Sequence, residues 1–202
     1  MPQLIGSNIF IHPLLDIPDD ITIGTNSIVG FETTNGSPGI YLGNQVTIGC
    51  FCIIENNVTI NDNVQIDHYC AIYEGARIAS GSKILYGAKV FRNARIGRKS
   101  IIGGDIPERM IIHDRVTFMG TVAHSYRDAS LDWDTTDEAS PEIGDGSVVG
   151  VNAIIIGDVK IGKNCYVAAG ETLRHDLPDH SIFYKSKIEP LSKFKGLIKT
   201  RF

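Results

Sequence analysis

Every sixth residue from Leu42 to Ile102 is Leu, Ile or Val: Leu42, Ile48, Ile54, Ile60, Ile66, Ile72, Ile78, Ile84, Val90, Ile96 and Ile102. A unit this short cannot bury its own apolar side chain, so a strict period means units stacked on one another. A second column lies two residues earlier: Ile40, Val46, Cys52, Val58, Val64, Cys70, Ala76, Ser82, Ala88, Ala94 and Ser100, mostly small or β-branched. An offset of two puts both side chains on one side of an extended strand. The other positions are rich in Gly, Asn and Asp, as in Asn61-Asp62-Asn63, which suits corners that need positive φ. Each hexad therefore reads as one short strand and one corner.

The frame extends both ways, through Ile5, Ile11, Ile17, Ile23 and Val29 upstream and Ile143, Val149, Ile155, Ile161, Val167 and Leu173 downstream. Between them runs a shorter frame of Ile112, Phe118 and His124, preceded by Met110, Val116 and Val122. Three strands around a triangle, stacked at about 4.8 Å, make a continuous core and ladder. The fold class is all-β, a parallel β-solenoid of about eight coils and roughly 40 Å. Ile102 to Ile112 is ten residues, which predicts a loop of about four extra residues within 103–109. The nineteen residues from His124 to Ile143 predict a longer loop over 125–140. With a third irregularity at 33–39, these loops are expected to share a corner and build one rim, where sites on rigid scaffolds are usually found. The repeat domain is placed at 1–178. Residues 179–202 form a basic tail, in which Leu191, Phe194, Leu197 and Ile198 would line one face of a short helix.

Composition narrows the function. Nineteen Lys and Arg against 23 Asp and Glu leave a net charge of −4, so no general basic field exists to hold a nucleic acid. The apolar runs are too short for a transmembrane segment, and no basic, apolar leader opens the chain, so a cytoplasmic protein is expected. Four cysteines without paired CxxC spacing predict neither a disulfide scaffold nor a zinc site. Cys52, Cys70 and Cys165 fall in the small inward column and read as core residues.

The [Leu/Ile/Val]-Gly-x-x-x-x repeat, with the segment IGDGSVVGVNAIIIGDVKIGKNCYVAAGETL, resembles the hexapeptide-repeat acyltransferases. The resemblance implies a left-handed parallel β-helix, a homotrimer with active sites between subunits, and acetyl-CoA as donor substrate with no metal. A loop His just ahead of IGDG is similar to the sugar and xenobiotic O-acetyltransferase branch, which makes His124 the catalytic base. The residue type suits that chemistry, since a hydroxyl attacking a thioester must lose a proton and imidazole titrates near neutrality. Asp128 and Glu142 are both candidates to orient its second ring nitrogen. His68 and His113 fall at outward or corner positions, where a solvated His is the default. The donor-binding positions implied by the family are Ala153, Ala168, Ala169, Gly170, Arg174 and Lys187, with Lys185 as a further phosphate candidate. The chain departs from the family in reading IFYKSKIEP where relatives carry Gly-x-Pro-Ala-Lys.

Tyr126, Asp128 and Trp133, in an acidic loop, suit a sugar acceptor through ring stacking and carboxylate acceptors. An acidic solvated loop with Trp133 packed on the prism fits those residues equally. The function expected is acetyl transfer to a hydroxyl of a sugar or surface-glycan precursor. The alternatives are N-acetylation of a nucleotide-linked amino sugar and a non-catalytic β-helix binding scaffold. A γ-type carbonic anhydrase ranks below these, because His68 and His113 lie two and a half coils apart and His113 and His124 lack that site's spacing.

Overall fold

The computed structural model describes residues 3–5, 7–31, 36–123 and 139–194. They wind as a left-handed parallel β-helix of about nine coils, against the eight expected. Face A stacks ten parallel strands, from Gln3–Ile5 and Thr22–Gly24 up to Tyr166–Val167 and Ser181–Tyr184. Face B carries Phe10–Ile11, Ile28–Val29, Ile53–Ile54, Ala71–Ile72 and Lys89–Val90, then Thr121–Ala123, Ile154–Ile156 and Thr172–Leu173 higher up. Face C runs from Tyr41–Leu42 through Arg77–Ile78, Arg95–Ile96, Ile111–Ile112 and Glu142–Ile143 to Lys160–Ile161.

Both predicted columns point inward and form one continuous core. Between Leu42 and Ile102 the large column is buried throughout, and so are Cys52, Cys70, Ser82 and Ser100 in the small column. The buried serines tie coil to coil. Ser82 Oγ donates to the Gly97 carbonyl (2.7 Å) and accepts the Ser100 N–H (3.1 Å); Ser100 does the same for the His113 carbonyl (2.9 Å) and the Val116 N–H (3.1 Å). A polar group is tolerated in this core because both its valences are used. Corners are met by left-handed backbone at six-residue intervals, including Asn57, Asn63, Gly75, Gly81, Gly87 and Asn93. Phe51, Tyr69 and Lys99 take the same conformation, so the corner geometry is imposed by the stack even where the residue disfavours it.

Three expectations change. Residues 103–109 are not a loop: Ile106 is fully buried and bridges Val90 on face B, so the wall continues with two residues fewer than a hexad. The same shortening recurs one coil on. Val122, not His124, stands in register with inward Ile155. It recurs again at Leu177, which bridges Ile161 on face C only four residues after Leu173. The C-terminal tail continues the wall past 178. Ser181–Tyr184 adds the last parallel rung and turns into Lys187–Pro190 as an antiparallel hairpin, followed by a 3-10 turn at Leu191–Lys193; Leu197 and Ile198 of the expected helix lie outside the described residues. At the other end, Leu4 rather than Ile5 is in register with Ile23.

Candidate functional site

Beyond the described residues that end at Ala123, the wall continues at Pro141, whose carbonyl accepts the Ile111 N–H (3.2 Å), and the next strand opens with Glu142. Glu142 opens a face-C strand whose Ile143 points inward and is in register with Ile112, so Glu142 itself points outward. His113 follows Ile112 directly. The stacking brings His113 Nε2 to 2.7 Å from Glu142 Oε1, with 43 % and 42 % of the two side chains exposed. In the tautomer that carries its proton on Nε2, His113 donates this hydrogen bond to Glu142, which fixes the orientation of the ring.

The pair borders an open cavity of about 450 Å³ that extends over face C to the next corner, lined also by Lys160, Lys163, Asp176 and Asp179. Its floor is bare because it has to be. A Cβ on Gly144 would lie 2.7 Å from the Gly162 carbonyl carbon, and one on Gly162 would collide with the Asp179 carboxylate. The backbone beneath is fixed from inside, since Ser100 holds the His113 carbonyl, Ser147 Oγ donates to the Gly162 carbonyl (2.7 Å) and Cys165 Sγ reaches the Pro178 carbonyl (3.0 Å). Burial pushes the Cys165 thiol above its usual range, which keeps it a protonated core group.

Corner carboxylates cap the coil below. Asp114 accepts the Arg98 N–H (2.7 Å), Asp145 that of Asp114 (3.0 Å), Asp176 that of Lys160 (2.8 Å) and Asp179 that of Lys163 (2.8 Å). Arg98 also clasps Asp114 Oδ2 through Nε (2.9 Å) and Nη2 (2.7 Å), and this holds the Asp114 carboxyl below the ordinary carboxylate range. Asp176 and Asp179 are thus occupied by structure. Glu142 is the carboxylate at the cavity that pairs with an imidazole. Among the described residues no three metal-ligating side chains converge.

His124, Tyr126, Asp128 and Trp133 lie outside the described residues. The described wall ends at Ala123, whose carbonyl accepts the Gly157 N–H (2.9 Å). Ala153 is an inward core residue with its carbonyl taken by Thr121 N–H (2.8 Å) and its N–H by the Gly150 carbonyl (3.1 Å). Ala168 is buried, whereas Ala169, Gly170, Arg174 and Lys187 are exposed. Glu171 joins two of these regions: its carboxylate accepts the Lys185 (2.6 Å) and Ser186 (3.1 Å) N–H groups, setting the hairpin turn beside the Ala168–Gly170 corner. That corner lies between faces A and B, away from the His113–Glu142 cavity on face C. The His113–Glu142 pair was missed in the sequence because its members are 29 residues apart across the excursion. Stacking Ile112 on Ile143 is the signal that finds it.

Residues 140–170 match the family described as "Bacterial transferase hexapeptide (six repeats)". The chain is 36 % identical over 77 residues to serine acetyltransferase 4 of Arabidopsis thaliana, covering 38 % of this chain and 20 % of that protein. It is 33 % identical over 86 residues to the bifunctional protein GlmU of Carboxydothermus hydrogenoformans, covering 40 % and 18 %. The chain thus spans about a fifth of the length of these curated relatives. Its fold is similar to that of the UDP-N-acetylglucosamine O-acyltransferase of Moraxella catarrhalis, with a TM-score of 0.53 at 16 % identity over 92 % of this chain and 72 % of that one. By its period and its coil the chain has the left-handed parallel β-helix fold, and residues 140–170 of it match the hexapeptide transferase family.

Proposed function

We propose that the chain is a CoA-dependent acyltransferase, a cytoplasmic homotrimer that moves acetyl from acetyl-CoA to a hydroxyl of a sugar or surface-glycan precursor. The observation that carries this reading is a coincidence of position. The family-matched segment 140–170 supplies Glu142, Gly144, Asp145, Lys160 and Gly162 to the cavity, and in sequence it follows closely on the segment that holds His124. His124 takes the proton of the attacking hydroxyl. The thioester is already activated, so no covalent enzyme intermediate is needed. Ala169 and Gly170 leave a surface that the donor's pantetheine chain can approach, and Arg174, Lys185 and Lys187 are exposed cations available to its phosphates. N-acetylation of an amino sugar would use the same base and donor.

A second assignment of the base rests on the 2.7 Å pair: His113, oriented by Glu142, performs the proton transfer. One assay separates the two. Thiol release from acetyl-CoA is followed with pooled sugars and nucleotide sugars as acceptors, and His124→Ala and His113→Ala are run beside the parent. Loss of the base lowers acceptor-dependent release by about a hundredfold or more, in whichever variant removes it. No release, together with no acetyl-CoA binding by calorimetry, would replace the enzyme with a binding scaffold.

A further inference from the structure

The outward residues of face C stand in register from coil to coil as Tyr41, Thr59, Arg77, Arg95, Ile111, Glu142 and Lys160. Arg77 and Arg95 are therefore exposed neighbours on adjacent strands, about 4.8 Å apart along the axis. Like charges placed directly opposite on a sheet repel and destabilise it. Neighbouring cations are answered by carboxylates: Arg98 by Asp114 at 2.7 Å and Arg92 by Glu108 at 3.9 Å. Among the described residues no carboxylate meets Arg77 or Arg95. They lie within residues 75–104, which hold seven Lys and Arg and no Asp or Glu in a chain of net charge −4.

We propose that Arg77 and Arg95 form an anion-binding fork on face C for a saccharide bearing a phosphate or carboxylate. Two planar guanidinium groups side by side present parallel N–H donors to such an oxyanion, and the bound charge removes the repulsion between them. Below the fork, the Thr59 hydroxyl and the exposed ring of Tyr41 offer a hydrogen bond and a flat apolar surface, which are the groups a pyranose uses. Two strands above Arg95, about 10 Å away, stands Glu142 with its bonded His113. A nucleic acid fits poorly, because the basic row ends at Ile111 and the next charge is acidic. This inference rests on the acyltransferase reading for its account of why an anionic sugar is held there, and it makes that sugar the acceptor.

The test is binding measured without acetyl-CoA, by calorimetry or ligand-observed NMR, in low salt. Glucose 6-phosphate and tri-galacturonate are the phosphate and carboxylate probes, with glucose and maltotriose as neutral controls. The parent binds at least one anionic probe and neither neutral one, and the Arg77→Gln/Arg95→Gln variant binds it at least about tenfold more weakly. Which anionic probe binds identifies the anion. Equal binding by the variant, or no binding of either anionic probe by the parent, would overturn the fork. A variant that changes oligomeric state with binding unaltered would also overturn it, assigning the arginines to a subunit contact instead. A single Arg77→Gln control, whose circular dichroism and melting reproduce the parent, separates lost binding from lost fold. Binding survives even if no thiol is ever released. Turnover of a neutral sugar unaffected by Arg77→Gln/Arg95→Gln would overturn the assignment of the anionic sugar as acceptor and leave the enzyme.

Discussion

Between Leu42 and Ile102 the chain never departs from six residues per strand, whereas between Ile102 and Phe183 the described residues shorten three times, at Ile106, Val122 and Leu177. The lower stretch buries its columns and satisfies its corners. The upper stretch does so too, and also assembles the cavity, the His113–Glu142 pair and the hairpin. Two of the three shortened rungs are built alike. In Asp105-Ile106-Pro107 and Asp176-Leu177-Pro178 the Asp accepts an N–H from the coil below, Lys89 (3.1 Å) or Lys160 (2.8 Å), and the next residue enters the core. A two-residue deletion therefore costs the wall little, and it changes where the following corner falls. Regular repetition makes a rod, and departures from it place side chains where two coils can share a site.

If the shortened rungs are as firmly built as the regular ones, hollowing either stretch should cost the same. Ile60 and Ile106 are each fully buried, one in a regular hexad and one in a shortened rung. Ile60→Ala and Ile106→Ala should each lower the free energy of unfolding by about 2–5 kcal/mol, because each removes buried methylenes and leaves a cavity. Denaturant unfolding of both variants reads the difference. A loss below about 1 kcal/mol at Ile106 alone would mean that 103–109 is a loose loop after all.

What could be read from the sequence follows from the same contrast. The columns, the prism, the buried cysteines and the hexapeptide character were legible because period six is unambiguous over eleven hexads. The shortened rungs were not, since ten residues from Ile102 to Ile112 equal either one hexad with four extra or two hexads less two. Spacing alone does not choose between them. The matching Asp-Ile-Pro and Asp-Leu-Pro segments carry the missing information, because in each an Asp that caps an N–H of the coil below is followed directly by the inward residue. The His–Glu pair was hidden for a related reason: its partners meet only once the excursion is taken out and the coils on either side are stacked.

A smaller effect probes how the two stretches are tied internally. Ser82 in the regular part and Ser147 beneath the cavity each donate to a carbonyl and accept an N–H, from Ser100 (3.1 Å) and Cys165 (2.9 Å) respectively. Ser82→Ala and Ser147→Ala leave that buried N–H without its acceptor, at about 1–3 kcal/mol each. Unfolding midpoints should fall by similar amounts. Only Ser147→Ala should also speed amide exchange at Cys165 on the coil that carries Gly162 and Lys163. Equal exchange in both variants would show that the cavity floor does not depend on the serine beneath it.

The smallest expected effect lies at the corners and is read by pH. Asp114 and Asp62 both cap an N–H of the coil below, that of Arg98 (2.7 Å) and Asn44 (2.8 Å), but only Asp114 also bonds a guanidinium. That bond depresses the folded-state pKa of Asp114, so its contribution is present above the unfolded value near 4 and is lost as pH falls through the depressed folded value. Asn at 114 keeps the capping oxygen and drops the charge. Asp114→Asn should therefore lower the melting midpoint at pH 7 by about 1–3 °C, consistent with an exposed pair in a chain this size. The gap between variant and parent should close as pH is taken from about 4 downward, where the parent's carboxylate protonates. Asp62→Asn, where no guanidinium is lost, should move the midpoint at pH 7 by less. A gap at Asp114 that stayed constant down to pH 2 would assign its effect to the cap alone, and the upper corners would then be held by the same single device as the lower ones.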